Sequence, residues 1–258
     1  MGDGQIVLEG KVAVITGAAG QIGSAIARRF LKEGARVALL DIDADALARL
    51  QSDLHQQGIA EQSLLCLACA VQDQEQIQDS FRRIDSKWGR VDIAVANAGI
   101  AESCAFVEMD LANWNRTLAV NLTGVFLTCQ QASRRMIRQR SGSLITMSST
   151  NGLMGERGLA AYNASKAGVL LLTKTMAIEL APYGIRANSL NPGFIDTGLA
   201  ERSGVGADLL QCYVEKIPLG RFGAPHEVAG AAAFLASSDA AFVTGIGLVV
   251  DGGQLAEE

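Results

Sequence analysis

Proline is scarce, with 4 residues in 258, and no Ser/Gly-rich or charged low-complexity stretch accompanies it, so the sequence offers no linker at which to divide the chain. Histidine is scarcer still. His55 and His226 lie far apart without carboxylate or cysteine at ligand spacing, so no metal site is expected. The five cysteines are an odd number, scattered along the chain, which argues against a disulfide framework and for free thiols. Cys66 and Cys69 form a C-x-x-C, but inside the apolar run SLLCLACAV with neither a second pair nor a neighbouring histidine; buried strand packing is the reading there. Cationic runs are missing too: 22 Lys and Arg stand against 27 Asp and Glu, a net charge of -5, and nothing could follow a phosphate backbone. No nucleic-acid partner is expected. No stretch approaches the roughly 20 apolar residues of a membrane span. The start MGDGQIVLEGK also has neither a basic n-region nor an apolar h-region, so no membrane partner and a cytoplasmic location are expected.

What is present is apolar material, 49% hydrophobic against 19% charged residues, enough for a large core. Apolar runs alternate with amphipathic segments: KVAVITG, a helical pattern from Gln21 to Glu33, ARVALLD, a helix from Ala44 to Gln57, SLLCLACAV, and a helix from Asp73 to Lys87. VDIAVANAG, a long helical region through Arg138, GSLITMSS, a helix from about Leu159 to Ala181, IRANSLNPG, a helical stretch near Pro225 to Ala236, and GIGLVVDGG follow. Strands that are continuous Val/Ile/Leu/Ala runs are buried on both faces, and their alternation with helices requires parallel pairing through right-handed crossovers. The expected fold is therefore α/β, a Rossmann-type doubly wound parallel sheet of about seven strands in one domain spanning 1–258. Residues 193–220 are the least regular and form a candidate lid over the strand ends.

The first strand runs into GAAGQIG and then a helix, so Gly17, Gly20 and Gly23 sit where backbone can approach a pyrophosphate against a helix N-terminus. The second strand ends at Asp41, an acid placed to accept both hydroxyls of an adenosine ribose and to repel the extra phosphate of NADP; Asp43 can cap the next helix and leave Asp41 free for that work. Further on, YNASK sets Tyr162 and Lys166 one helical turn apart. A phenol titrates near pH 10, so acid/base work at neutral pH needs a nearby cation, and Lys166 is expected to supply it. The strand GSLITMSS delivers Ser149 to the same sheet edge.

With these residues assembled, the chain resembles the short-chain dehydrogenase/reductase superfamily, in its classical branch, from Leu8 to Gly253. The resemblance is carried by TGAAGQIG (Thr16 to Gly23), NAG (Asn97 to Gly99), N-x-x-G (Asn121 to Gly124), Ser149, YNASK, NPGFIDT (Asn191 to Thr197) and the closing DGG. It implies that Tyr162 is the catalytic acid/base, that Ser149 hydrogen-bonds the same substrate oxygen, and that Lys166 lowers the Tyr162 pKa and holds the nicotinamide ribose. Asn121 would support a water linking Lys166 to solvent. Gly17, Gly20, Gln21, Ile22 and Gly23 would cradle the phosphates, Asn97, Ala98 and Gly99 line the adenosine side, and Pro192, Gly193, Ile195 and Thr197 border the nicotinamide. Two departures stand out. Gln21 replaces the middle glycine of the family pattern, so the turn must accept a Cβ there, and Ala70 stands where many relatives have an Asp, leaving the adenine to backbone groups around Ala70 and Val71.

NAD is the expected cofactor in preference to NADP, because Asp41 is acidic and neither Gly20 nor Ile42 is basic. Ser149, Tyr162 and Asn151 are the expected substrate contacts, with Ala101, Glu102, Gly152, Leu153, Arg157 and residues 194–210 around them. A sugar, polyol or hydroxy acid is the expected small-molecule substrate; a 3-oxoacyl thioester and a steroid-like or cyclic alcohol stay open. An NADPH-dependent 3-oxoacyl carrier protein reductase is the alternative enzyme, which Asp41 opposes. A non-catalytic dinucleotide sensor is the alternative outside enzymes, and the complete set Asn121, Ser149, Tyr162 and Lys166 opposes that. The resemblance also implies a homotetramer built through the long helices and the C-terminal strand.

Overall fold

The computed structural model describes residues 7–198 and 207–256, without the side chains of 207–209. Seven strands, β1 (Val12–Thr16), β2 (Arg36–Asp41), β3 (Leu64–Ala68), β4 (Ile93–Ala96), β5 (Gly142–Met147), β6 (Ile185–Pro192) and β7 (Gly247–Val250), form one sheet in the order β3-β2-β1-β4-β5-β6-β7. Every neighbouring pair is parallel. The order reverses between β1 and β4, and this is the point at which a doubly wound sheet opens a crevice above its strand ends. β1 is buried along its whole length, as its VAVIT sequence demands of a central strand.

The pleat splits the core in two. Ala13 and Ile15 face one layer, packed by Ile26 and Phe30 of α1 (Gln21–Lys32), Leu47, Leu50 and Leu54 of α2 (Ala44–Gln56), and Val228 and Ala232 of the last helix, α8 (Pro225–Ala236). Val12 and Val14 face the other. Ile77, Phe81 and Ile84 of α3 (Gln74–Trp88), Val125 and Met136 of α5 (Gly124–Gln139), and Val169 of α6 (Ala160–Leu180) pack there. Phe30 and Phe81 are fully buried on opposite faces, each stabilising the fold by about 2 kcal/mol.

Local signals set the helix ends. Asp43 caps α2 by accepting from Ala46 N, Asp73 caps α3 by accepting from Glu75 N and Gln76 N, and Gly89 closes α3 at φ 70°. The long helical region through Arg138 is divided: α4 (Leu111–Leu118) passes into a π-turn at Ala119–Thr123 before α5 begins. A π-turn opens the helix by one residue, an irregularity associated with functional positions. In the expected lid, residues 199–206 lie outside the described residues, and α7 (Ala207–Val214) follows them. Cys66 and Cys69 are free thiols, and burial pushes both pKa values up. Among the described residues no helix is long and apolar enough to cross a membrane.

Candidate active site

The crevice above β1 and β4 encloses about 520 Å³. Its floor depends on two glycines. Gly17 turns at φ 62°, and a Cβ there would stand 2.7 Å from Ala98 Cα; a Cβ on Gly23 would stand 2.2 Å from Gly17 O. Gly20 is less constrained, its added Cβ falling at an ordinary 3.4 Å from the same oxygen. Gly20 is the N-cap of α1 and offers no side-chain cap, and the first turn carries no acid, so amide hydrogens at this helix end are left for a ligand. Gln21 is the first residue of α1 and lines the crevice with Ile22. Its Cβ is therefore accommodated in helical backbone, and the departure from the glycine pattern leaves the turn intact. A cradle that any side chain would fill, at an uncapped helix start, fits a pyrophosphate.

At the far end Asp41 is fixed, not free: Oδ2 accepts from Ala19 N at 2.9 Å and Oδ1 from Asp43 N at 3.1 Å. Each oxygen keeps a further lone pair for a ribose hydroxyl. Ile42 beside it is 71% exposed, and among the described residues lining the crevice there is no Lys or Arg. Ala70 is engaged within the chain. Its N–H donates to Gln76 Oε1 and its carbonyl accepts from Asp73 N, so both backbone groups serve the start of α3, while Val71 and the unanticipated Gln72 line the crevice.

Asn97 staples the two halves together. Nδ2 donates to the carbonyls of Thr16 and Gly17, and Thr16 Oγ1 accepts from the N–H groups of Asn97 and Ala98. Gly99 marks a close approach, since a Cβ there would stand 3.3 Å from both Asn121 Oδ1 and Lys166 Nζ. Asn121, in the π-turn, is fully buried, and its side chain is committed to the chain: Oδ1 accepts from Ile100 N, and Nδ2 donates to Ile100 O and Ser165 Oγ. Its amide therefore braces the strand end after β4.

Ser149, Tyr162 and Lys166 come together where β5 meets α6. Lys166 Nζ lies 5.4 Å from the centroid of the Tyr162 ring and donates to Met147 O at 2.8 Å. Burial alone brings the ammonium down to about 8. Tyr162 does not follow the expected electrostatics. Burial holds its phenol above the ordinary value, a hydrogen bond with Ser149 pulls it back, and the Glu156 carboxylate raises it again. The spacing brings Lys166 to the ring, while burial is the largest influence on the phenol. Ser149 Oγ also accepts from Asn151 N and donates to Pro192 O.

The nicotinamide-side residues divide. Thr197 lines the crevice, Pro192 reaches the centre through its carbonyl, and Gly193 lets the C-terminal turn approach, a Cβ there standing 2.7 Å from Gln254 Oε1. Ile195 lines a neighbouring cavity with Leu219 and Val250. Beyond Asn151 a cavity of about 940 Å³ is walled by Glu156, Arg157, Asn163, Phe194 and Tyr213. Glu102 is absent from this wall because Arg116 and Asn113 hold it, Leu153 is 54% exposed, and Gly152 is packed against Ser148. Glu156, Tyr213 and Gln254 were not anticipated; Asn163, inside the YNASK run, carried the one available signal.

A protein-family profile described as Enoyl-(Acyl carrier protein) reductase matches residues 17–254. The 3-oxoacyl-acyl-carrier-protein reductase of Thermotoga maritima is 42% identical over 247 residues, covering 95% of this chain and 98% of that one. The D-threitol dehydrogenase of Mycolicibacterium smegmatis is 38% identical over 248 residues, 95% of this chain and 93% of its own. Among solved structures, a gluconate 5-dehydrogenase from Burkholderia cenocepacia, crystallised with NADP and tartrate, superposes with a TM-score of 0.92 at 32% identity, covering 98% of both chains.

Proposed function

Because the chain belongs to the short-chain dehydrogenase/reductase superfamily, and is thereby an oxidoreductase of alcohol and ketone groups that uses a nicotinamide dinucleotide, we propose that its cofactor is NAD and its substrate a polar secondary alcohol of the sugar, polyol or hydroxy acid class. The observation that carries this reading is the pinned Asp41 carboxylate in a crevice whose described lining has no cation. A 2′-phosphate there would meet the Asp41 carboxylate with no cation among the described lining residues to neutralise it.

The bound dinucleotide supplies the hydride acceptor; the chain supplies the proton chemistry. Tyr162 in its phenolate form takes the carbinol proton and becomes the phenol, and Ser149 beside it steadies the substrate oxygen as its charge develops. Lys166 below its titration near 8 is a cation against the Tyr162 ring. The same residues run ketone reduction in reverse. The working unit is taken to be a homotetramer in the cytoplasm.

The alternative of an NADPH-dependent 3-oxoacyl carrier protein reductase has the likeness to the Thermotoga enzyme in its favour. The two are separated by measuring kcat/KM with NADH and NADPH, and with NAD and NADP, on polyols and on an acetoacetyl thioester. NAD preferred by about tenfold or more, the equivalent of 1.4 kcal/mol, supports the first reading; NADPH preference with thioester turnover would establish the second. Tyr162→Phe should lower kcat by about 10²-fold or more while dinucleotide binding persists. Wild-type-level activity in that variant would remove Tyr162 from the acid/base role.

A further inference from the structure

The cavity beyond Asn151 contains two acceptor groups that the fold does not use up. Glu156 Oε2 accepts from Asn151 Nδ2 at 2.8 Å and Oε1 from the Tyr213 hydroxyl at 3.5 Å, whereas a carboxylate has about four acceptor positions. The Glu156 backbone is held as well, its carbonyl accepting from Asn163 Nδ2 at 2.9 Å. The group is thus oriented from three elements at once: the loop after β5, the start of α6, and α7. Gln254 lines the same cavity, and its Oε1 is shut off from solvent without a hydrogen-bond partner. An oxygen desolvated and left unpaired costs stability unless a ligand donates to it.

We propose that this cavity is a polyol subsite, in which Glu156 and Gln254 accept hydrogen bonds from substrate hydroxyls other than the one being oxidised. The proposal rests on the alcohol-oxidising reading above and narrows it. A neutral polyol offers donors to both acceptors. A hydroxy acid would bring its carboxylate toward Glu156, and a 3-oxoacyl thioester has no hydroxyl to give. Arg157 and Lys216 also line the cavity, but both side chains are exposed at its rim, where solvent screens them. Phe194, tilted against Tyr213 with 4.4 Å between ring centroids, supplies an apolar wall for the carbon chain. The subsite communicates with the reacting centre, since Asn151 bonds both Glu156 and Ser149. Glu156 also acts on the phenols of Tyr162 and Tyr213, raising both; the other charged group against Tyr162 is Lys166, and against Tyr213 it is Lys216.

The test compares three substrates of similar length with NAD: threitol, threonate and 2-butanol, which carry extra hydroxyls, extra hydroxyls with a carboxylate, and neither. In wild type, kcat/KM should rank threitol first. Compared at the plateau of each pH profile, Glu156→Gln should lower kcat/KM for threitol by about tenfold relative to 2-butanol, as loss of a charged acceptor does, and raise it for threonate relative to 2-butanol. Gln254→Leu should also lower threitol turnover selectively. The alkaline rise of the threitol rate should move to lower pH in Glu156→Gln, which a merely structural role would not produce. Equal losses on threitol and 2-butanol, or a wild-type preference for threonate, would overturn the proposal. Saturation-transfer NMR with threitol in the presence of NAD reads the subsite without turnover. A signal lost in both variants supports it, and no signal from wild type overturns it. Oxidation of none of the alcohols with that signal retained would instead remove the dehydrogenase reading and leave the subsite standing.

Discussion

Lys166 shows how burial sets the chemistry of a single side chain. Its neighbours supply one carbonyl at 2.8 Å and no carboxylate bond, so the folded chain disfavours the charged form and the ammonium titrates near 8, against 10.5 for a free lysine. The sign of the linkage follows. Between those two values the unfolded chain binds the proton and the folded chain does not, so the contribution of Lys166 to stability rises with pH across that window and is at its most unfavourable below it. The whole effect is on the order of 3 kcal/mol from the size of the shift. Thermal unfolding of wild type and Lys166→Met should show the wild type gaining on the variant from pH 8 to 10.5; a difference independent of pH would mean that the ammonium is solvated. The YNASK spacing made the pairing with Tyr162 legible. It did not make the pKa directions legible, because those depend on how much water the surrounding strands exclude, which no local spacing encodes.

At the scale of one turn, the β1–α1 connection separates glycines that are required from one that is not. A Cβ on Gly23 meets the Gly17 carbonyl at 2.2 Å, a backbone atom that cannot swing away, whereas at Gly20 the same oxygen is 3.4 Å off. Gly23→Ala should therefore destabilise the fold by about 1–3 kcal/mol, as overpacking does, and weaken dinucleotide binding as the cradle opens. Gly20→Ala, losing only a modest N-cap preference, should cost about 0.5–1 kcal/mol. Chemical unfolding and fluorescence titration with NADH would measure both, and equal losses in the two variants would contradict this assignment. The motif was readable as a strand handing over to a helix, and the order of its glycines explains why Gln21 is tolerated. The surroundings of Ala70 and Ile195 are not readable in this way. Which way each faces depends on Gln76 and on the bridge to Gly223, contacts that family position alone does not supply.

Across the whole molecule, the alternation of apolar and amphipathic segments was sufficient for the seven-stranded parallel sheet, because parallel strands bury both faces and leave a continuous hydrophobic signature. The cavity proposed for substrate was legible only in part: Asn151, Arg157 and Phe194 were expected around it, but Glu156, Tyr213 and Gln254 converge from segments far apart in sequence, and no periodicity marks them. The outer surface poses a related question. Leu171 and Ile178, seven apart on α6, are 67% and 76% exposed, and Phe126 on the adjoining α5 is 43% exposed. A helix repeats its face every seven residues, so the first two form one apolar stripe, and a stripe of this kind costs free energy in water unless another chain covers it. The proposed homotetramer does so if two-fold axes bring α5 and α6 of neighbouring chains together, a self-complementary arrangement. Light scattering should then report four chains of 27.1 kDa. Leu171→Glu with Ile178→Glu should halve that assembly without unfolding the monomer, because neither side chain belongs to the buried core. A wild-type monomer, or a tetramer indifferent to both charges, would require the stripe to be covered in another way.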